Sequence, residues 1–125
     1  REPRALIAAE VDDGTRRWAI GATHLSRHKP TASRQLRRCL DVLAARPSPR
    51  VLVGDLNLPT GRVLPWSTSA GFHLVEGPLT HSTRRHRLSA RIDHVLVDGA
   101  RVERTAVHRL DVSDHCAVSA DLTPR

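Results

Sequence analysis

The chain contains few aromatic residues and no methionine. Among its 125 residues there are two Trp, one Phe and no Tyr, so the core must be aliphatic and platforms for stacking nucleic-acid bases are scarce. No apolar run reaches the roughly 18 residues of a membrane-spanning helix, and no signal-peptide pattern opens the chain. We therefore expect a soluble domain with no membrane span in this chain, in a cytoplasmic or extracytoplasmic compartment that the sequence leaves open. The start at Arg1 and the absence of Met predict a piece of a longer polypeptide.

Cysteine and lysine are also scarce. Cys39 and Cys116 are far apart and form no C-x-x-C pair, which favours buried thiols over a redox or metal site. Lys29 is the only lysine, so the net charge of +7 comes almost entirely from arginine. This charge favours anionic partners, phosphate esters included. Two alternative explanations remain: a GC-rich coding sequence can by itself give an Arg- and Ala-rich composition, and an acidic portion outside this sequence could cancel the charge.

The length and the hydrophobic fraction of 39% predict one folded domain. Apolar β-branched runs indicate strands, and apolar residues at helical spacing indicate helices. We predict strands at 5–11, 17–24, 51–53, 91–98, 101–109 and 116–122, helices at 31–46 and 62–71, and a polar surface loop at 77–90. Thr31, which follows Pro30, is the predicted N-cap of the first helix. Several strands with hairpin-like links and two helices predict an α+β or mixed α/β fold with a mostly antiparallel sheet.

The stretch VLVGDLNLP, residues 51–59, is an apolar run that ends in two polar side chains. Its first three residues are typical of a strand that is covered on both faces. Gly54 removes the side chain where a turn or a ligand comes close. Asp55 and Asn57 follow two positions apart, so in extended chain they project to the same side. Taken alone, the stretch favours a simple turn, because Gly, Asp, Asn and Pro are the usual turn residues.

Four polar motifs lie at predicted strand ends. They are THL at 23–25, GDLN at 54–57, RIDH at 91–94 and SDH at 113–115. Each is weak by itself, since three-residue matches occur by chance. Brought to one edge of a sheet, they would assemble carboxylates, imidazoles and a carboxamide, the groups needed to hydrolyse a phosphate ester with a metal ion.

In this order, the four motifs resemble the C-terminal half of the endonuclease/exonuclease/phosphatase superfamily, a group of metal-dependent phosphodiesterases. The resemblance covers residues 1–125. It implies one half of a four-layer α/β sandwich. It also implies hydrolysis of phosphate esters, of phosphodiesterase or nuclease type, by attack of water on phosphorus, with this chain supplying part of the active site. The implied cofactor is Mg²⁺, with Mn²⁺ as the alternative, and the implied partner is a phosphate-ester substrate, nucleic acid being one candidate.

The resemblance assigns a role to the polar residues of the first two motifs. His24 would contact the substrate phosphate or lie on the leaving-group side. Asp55 would position the attacking water or the metal, and Asn57 would hydrogen-bond the scissile phosphate. Preorganised donors of this kind stabilise the negative charge that develops on phosphate oxygens.

The last two motifs would supply an oriented histidine. Asp93 would orient His115, and we expect its carboxylate within about 2.6–3.2 Å of a ring nitrogen, since such a bond selects one tautomer. His115 would act as general base or stabilise charge on the phosphate. Asp114 would serve the metal site together with Asp55. His94 should face away from Asp93 and be packed or solvated.

One part of the family pattern is absent from this chain. The family's N-terminal half supplies a Glu as a primary metal ligand, and no glutamate here stands in a matching context. The missing N-terminal half of the same domain is therefore an expected partner, and we expect the isolated chain to be a poor enzyme. A lone half should also leave an apolar sheet face uncovered and prone to self-association, formed by Val51, Val53, Val95 and Val97.

A different class of function remains open. The chain could be a non-catalytic basic module that binds nucleic acid through its arginines, or an inactive fragment of the enzyme. The basic run at 84–87, shortly before Asp93, either grips substrate phosphates or is a solvated loop. Salt-dependent binding without turnover would favour the module, and chelator-sensitive hydrolysis would favour the enzyme.

Overall fold

The computed structural model describes residues 3–78, 80–82 and 88–125. In chain order its elements are β1 (Leu6–Asp12), β2 (Arg17–His24), α1 (Lys29–Ala44), β3 (Arg50–Asp55), α2 (Thr60–Ser69), β4 (His73–Leu74), β5 (His81–Ser82), β6 (Leu88–Ala90), β7 (Asp93–Asp98), β8 (Ala100–His108) and β9 (Ala117–Pro124). These elements confirm the mixed α/β fold with mostly antiparallel strands. The basic run at 84–87 lies outside the described residues. Neither helix in the described part of the chain is long and apolar enough to cross a membrane.

Two local predictions are wrong. The stretch 77–90 is not one surface loop, because it contains the short antiparallel strands β5 and β6. The first helix begins at Lys29, so its N-cap is His28 and not Thr31. Pro30 falls in the first helical turn, where the missing N–H costs no backbone hydrogen bond. The Thr31 hydroxyl instead contacts Nδ1 of His28 at 2.9 Å.

The centre of the fold is a five-stranded sheet in the order β1-β2-β3-β7-β4. β2 and β3 are parallel because α1 carries the chain from one to the other across the sheet, whereas the other pairs are antiparallel. α1 and α2 cover one face and share a buried cluster with it, which includes Leu36, Leu40, Leu43, Leu52 and Leu96. This aliphatic core holds the strands whose ends carry the polar motifs.

The opposite face of the sheet is covered by a hairpin of β8 and β9. Val51, Val95 and Val97 are 5%, 6% and 1% exposed beneath it, and Val53 is partly buried. The expectation that the chain leaves these valines uncovered is therefore wrong, because the chain supplies its own second layer. The exposed apolar part of the face lies further along the sheet, on the edge strand β1, where Ile7 is 73% exposed.

Candidate active site

Strand register brings three of the predicted side chains into line. His24 ends β2, Asp55 ends β3 and Asp93 begins β7. In the sheet His24 pairs with Asp55, and Asp55 pairs with Asp93, so the three project from one face at one end of the sheet. His115 reaches them from the turn before β9 and contacts both carboxylates. From the sequence we expect these four side chains and Asn57 to converge at one end of a sheet, and the structure brings the four together there.

The shortest contact in this group joins Asp93 and His115. Nδ1 of His115 lies 2.8 Å from Oδ2 of Asp93, which confirms the expected hydrogen bond. An ionised carboxylate only accepts, so Nδ1 carries the hydrogen and donates it. Nε2 of the same ring faces Asp55, whose Oδ2 lies 3.6 Å away. The imidazole is therefore held in one orientation by a carboxylate, with its second nitrogen turned into the site.

The charges around His115 favour its protonated form. Burial by itself would lower the pKa of this imidazole. The hydrogen bond to Asp93 and the negative charges of Asp93, Asp55 and Asp114 outweigh burial and raise the pKa above its ordinary value of 6.5. A protonated ring donates from Nε2 as well as from Nδ1, so the site can offer a hydrogen-bond donor to an anion.

Gly54 allows β2 and β3 to approach each other just before Asp55. Its φ is 151°, and a Cβ at this position would lie 1.9 Å from the carbonyl oxygen of Thr23. Only glycine fits here, and its presence lets His24 and Asp55 be neighbours. Nε2 of His24 lies 3.3 Å from Oδ2 of Asp55, while the His24 side chain is 60% exposed. His24 is thus held beside Asp55 with most of its side chain exposed.

Asn57 is fixed in the turn that follows β3. Its φ of 51° is a left-handed conformation that Asn tolerates better than most residues. Its backbone N–H donates to Oδ1 of Asp55 at 2.9 Å, and its Nδ2 donates to the carbonyl of Leu25 at 2.8 Å. Lys29 donates from Nζ to the Asn57 carbonyl. Contact of Asn57 with phosphate stays a prediction, and it would use the second hydrogen of the amide.

Asp55, Asp93 and His115 form a group that could hold a metal ion. Their ligand atoms lie within 4.8 Å of one another. This group differs from the predicted pair of Asp55 and Asp114. The Asp114 side chain is 68% exposed, and its Oδ1 lies 4.0 Å from Nε2 of His115. Asp114 therefore sits at the rim of the site, and its role as a metal ligand stays a prediction.

His94 lies on the other face of β7 from Asp93, as expected. It is 1% exposed, and Nε2 donates to the carbonyl of Leu58 at 2.7 Å. Nδ1 is buried without a partner among the described residues. Burial, with a further contribution from the positive charge of Arg91, holds the pKa of His94 below its ordinary value. His94 is therefore a neutral packing residue.

The sequence motifs assigned no role to two buried residues beside the site, Thr80 and Arg91. Oγ1 of Thr80, which is completely buried, accepts hydrogen bonds from two consecutive backbone N–H groups, including that of Asp93 at 3.3 Å. Arg91 is 6% exposed and donates to the carbonyls of Val75 and Pro78. Thr80 belongs to the stretch that the sequence predicted as a surface loop, where a hydroxyl is usually solvated.

A sequence model of the Endonuclease/Exonuclease/phosphatase family matches residues 2–115. Because this match spans most of the 125 residues, the chain belongs to this family, as the four motifs predicted. No curated protein sequence matches the chain.

Solved structures share the fold at low identity. Humanized D. rerio TDP2 gives a TM-score of 0.81 at 20% identity, over 96% of this chain and 60% of that one. D. rerio TDP2 complexed with single strand DNA product gives 0.77 at 18%, over 96% and 62%. The inositol polyphosphate 5-phosphatase domain of SpSynaptojanin, in complex with inositol (1,4)-bisphosphate and calcium ion, gives 0.70 at 17%, over 94% and 49%. The chain thus spans about half to three fifths of the length of these proteins.

Proposed function

We propose that this chain supplies part of an active site for metal-dependent hydrolysis of phosphate esters, of phosphodiesterase or nuclease type. The observation that carries the proposal is the 2.8 Å hydrogen bond between Asp93 and His115. Asp55 and His24 lie beside this pair at the same end of the sheet. Membership of the family supports the same reaction class. An oriented histidine beside several carboxylates at a strand edge is the arrangement expected of such a site.

In the proposed reaction, water attacks phosphorus and the bond to the leaving oxygen breaks. His115 can assist in two ways, both through Nε2. A neutral ring takes a proton from the attacking water, and a protonated ring donates to a phosphate oxygen and stabilises its charge. The raised pKa of His115 in the metal-free chain favours the second role. Asp93 serves either role by holding the hydrogen on Nδ1.

His24 and Asn57 are the proposed contacts to the substrate phosphate. The exposed ring of His24 is anchored beside Asp55 and can reach a phosphate oxygen or the leaving group. The Asn57 carboxamide is already oriented by the Leu25 carbonyl. A donor that is held in place before the reaction needs no reorganisation to stabilise developing charge.

Asp55 and Asp114 are the proposed ligands of Mg²⁺, with Mn²⁺ as the alternative. The groups present fit such an ion, because it prefers oxygen ligands and takes one or two carboxylates, while waters and substrate phosphate complete its shell. Asp55 also belongs to the group of closely spaced ligand atoms. When bound, the ion would neutralise charge on the phosphate and lower the pKa of a coordinated water.

We further propose that residues 1–125 are the C-terminal half of the domain. An N-terminal half would then supply the remaining metal ligand, a Glu in the family pattern. The lengths of the structural neighbours support this proposal, since the chain covers 60% of one and 49% of another. Nucleic acid is the first substrate to test, because the chain carries a net charge of +7 and one neighbour was solved with single strand DNA product.

The test is hydrolysis of a simple phosphodiester and of single-stranded DNA by the polypeptide that carries both halves. We expect turnover with Mg²⁺, none with a chelator, and turnover barely above background from the 125-residue chain alone. His115→Ala should lower kcat much more than it raises KM, because Nε2 acts mainly in the transition state. His73→Ala, an exposed histidine on β4 at the other end of the sheet, is the control.

Two outcomes would contradict this function. Salt-dependent binding of DNA without hydrolysis would replace it with a non-catalytic basic module. Hydrolysis by His115→Ala at the rate of the unmodified protein would remove His115 from the mechanism.

A further inference from the structure

Thr80 is bonded to both chain segments that carry the Asp93–His115 pair. Its Oγ1 accepts from the backbone N–H groups of Ile92 and Asp93 at 3.2 and 3.3 Å. Its carbonyl accepts from the backbone N–H of Cys116, the residue after His115, at 2.7 Å. One residue therefore links the start of β7 to the segment that leads into β9.

The position of Thr80 is itself fixed by its surroundings. It is 0% exposed, and its N–H donates to the carbonyl of Ala90 at 2.8 Å. The preceding segment is held against β7 by Arg91, whose guanidinium donates to the carbonyls of Val75 and Pro78 at 3.1 and 2.9 Å. Thr80 is therefore held in place and can fix the positions of the two segments that it joins.

The pair depends on this link because Asp93 and His115 belong to different segments, and Thr80 hydrogen-bonds to the backbone of both. Asp93 begins a strand of the central sheet. His115 lies in the connection between β8 and β9, shortly before β9 begins. Their side chains meet at 2.8 Å, and a hydrogen bond weakens steeply with small changes in distance and angle. A shift of either segment would therefore weaken that hydrogen bond.

We propose that Thr80 is a positioning residue that sets the distance between Asp93 and His115. Its Oγ1 places the backbone of Asp93, and its carbonyl places the residue next to His115. The catalytic consequence rests on the proposed function, whereas the geometric role does not.

The decisive variants are Thr80→Val and Thr80→Ser. Valine keeps the shape of threonine and removes the acceptor, which leaves the N–H groups of Ile92 and Asp93 unpaired. Serine keeps the acceptor and removes only a methyl group. We expect Thr80→Val to weaken or remove the downfield proton resonance of His115 Nδ1–H in the metal-free chain, and Thr80→Ser to retain it.

In the polypeptide with both halves, the same variants are assayed for hydrolysis. Thr80→Val should lower kcat by about 10- to 100-fold with KM nearly unchanged, since a displacement near 1 Å is enough for such a loss. Thr80→Ser should restore most of kcat. A purely structural role would not give this division between kcat and KM, or this rescue.

Ser67→Ala is the matched control. Ser67 is also 0% exposed, and its hydroxyl donates to the carbonyl of Leu64 at 3.0 Å within α2. It should lower the midpoint of urea unfolding without changing the His115 resonance or kcat. If Thr80→Val does not fold, Thr80→Cys takes its place, because a thiol is a weak acceptor and should give the same changes in smaller amount.

The proton resonance of His115 Nδ1–H tests the role of Thr80, and the hydrolysis kinetics test the proposed function. An unchanged His115 resonance in folded Thr80→Val would overturn the role of Thr80, whatever the activity. A changed resonance in a protein that hydrolyses no phosphate ester would support Thr80 as a positioning residue and overturn the proposed function. Equal losses of kcat in Thr80→Val and Ser67→Ala would overturn the catalytic consequence.

Discussion

Asp93→Asn tests the role of the carboxylate that orients His115. The substitution keeps the size of the side chain and removes its charge. If the amide presents Nδ2 to His115, the ring must accept at Nδ1 and carry its hydrogen on Nε2, which is the wrong tautomer for a base at that nitrogen. If it presents its oxygen, the bond persists without the assistance of charge and is weaker.

The size of the effect follows from the contact. The bond is 2.8 Å long and joins a carboxylate that is 17% exposed to an imidazole that is 28% exposed, so solvent screens it only in part. A hydrogen bond to a charged group contributes about 1.5–3 kcal/mol. If that amount is lost in the transition state, the rate falls about 10- to 150-fold.

The measurement is steady-state hydrolysis of a simple phosphodiester with Mg²⁺ by the polypeptide that carries both halves. The loss should appear in kcat, with KM changed little. Asp98→Asn is the matched control, because Asp98 is a half-buried carboxylate at the other end of β7 and pairs with Arg50 at 2.6 Å. Wild-type kcat in Asp93→Asn, or the same loss in Asp98→Asn, would refute the assigned role.

Three further predictions concern stability and association. In metal-free buffer, protonated His115 should stabilise the fold because its folded-state pKa lies above the ordinary 6.5. The pH-dependent part of the stability difference from His115→Gln in urea unfolding should be complete below about pH 6.5 and be lost as the pH rises through the folded-state pKa, and a difference that grows with pH would contradict this sign. Gly54→Ala should lower the free energy of unfolding by at least about 3 kcal/mol, because the new Cβ would meet a backbone oxygen at 1.9 Å. Gly14→Ala, with a φ of 91° but open space around it, should cost less, and equal costs would show that the clash is unimportant. Ile7→Lys should raise the monomeric fraction of the isolated chain in analytical ultracentrifugation, because Ile7 is 73% exposed on an edge strand; unchanged association would place the contact elsewhere.

The sequence alone determined the chemistry available to the site and the strands that carry it. Asp55 follows an apolar β-branched run, and Asp93 begins another, so the local pattern places both carboxylates at strand ends. The alternation of side chains along a strand is also local, which is why His94 could be assigned to the face opposite Asp93. The order of the four motifs then sufficed for the family.

Tertiary structure decided the distances within the site and the residues that support it. The alignment of His24, Asp55 and Asp93 depends on the register of three strands, two of which are joined through a helix. Burial of Val51 depends on a hairpin more than 40 residues later in the chain. Thr80 acquires its contacts with Asp93 and Cys116 only when those segments meet. Residue type and periodicity are properties of neighbouring residues, whereas register, coverage and hydrogen bonding between distant segments exist only in the folded chain.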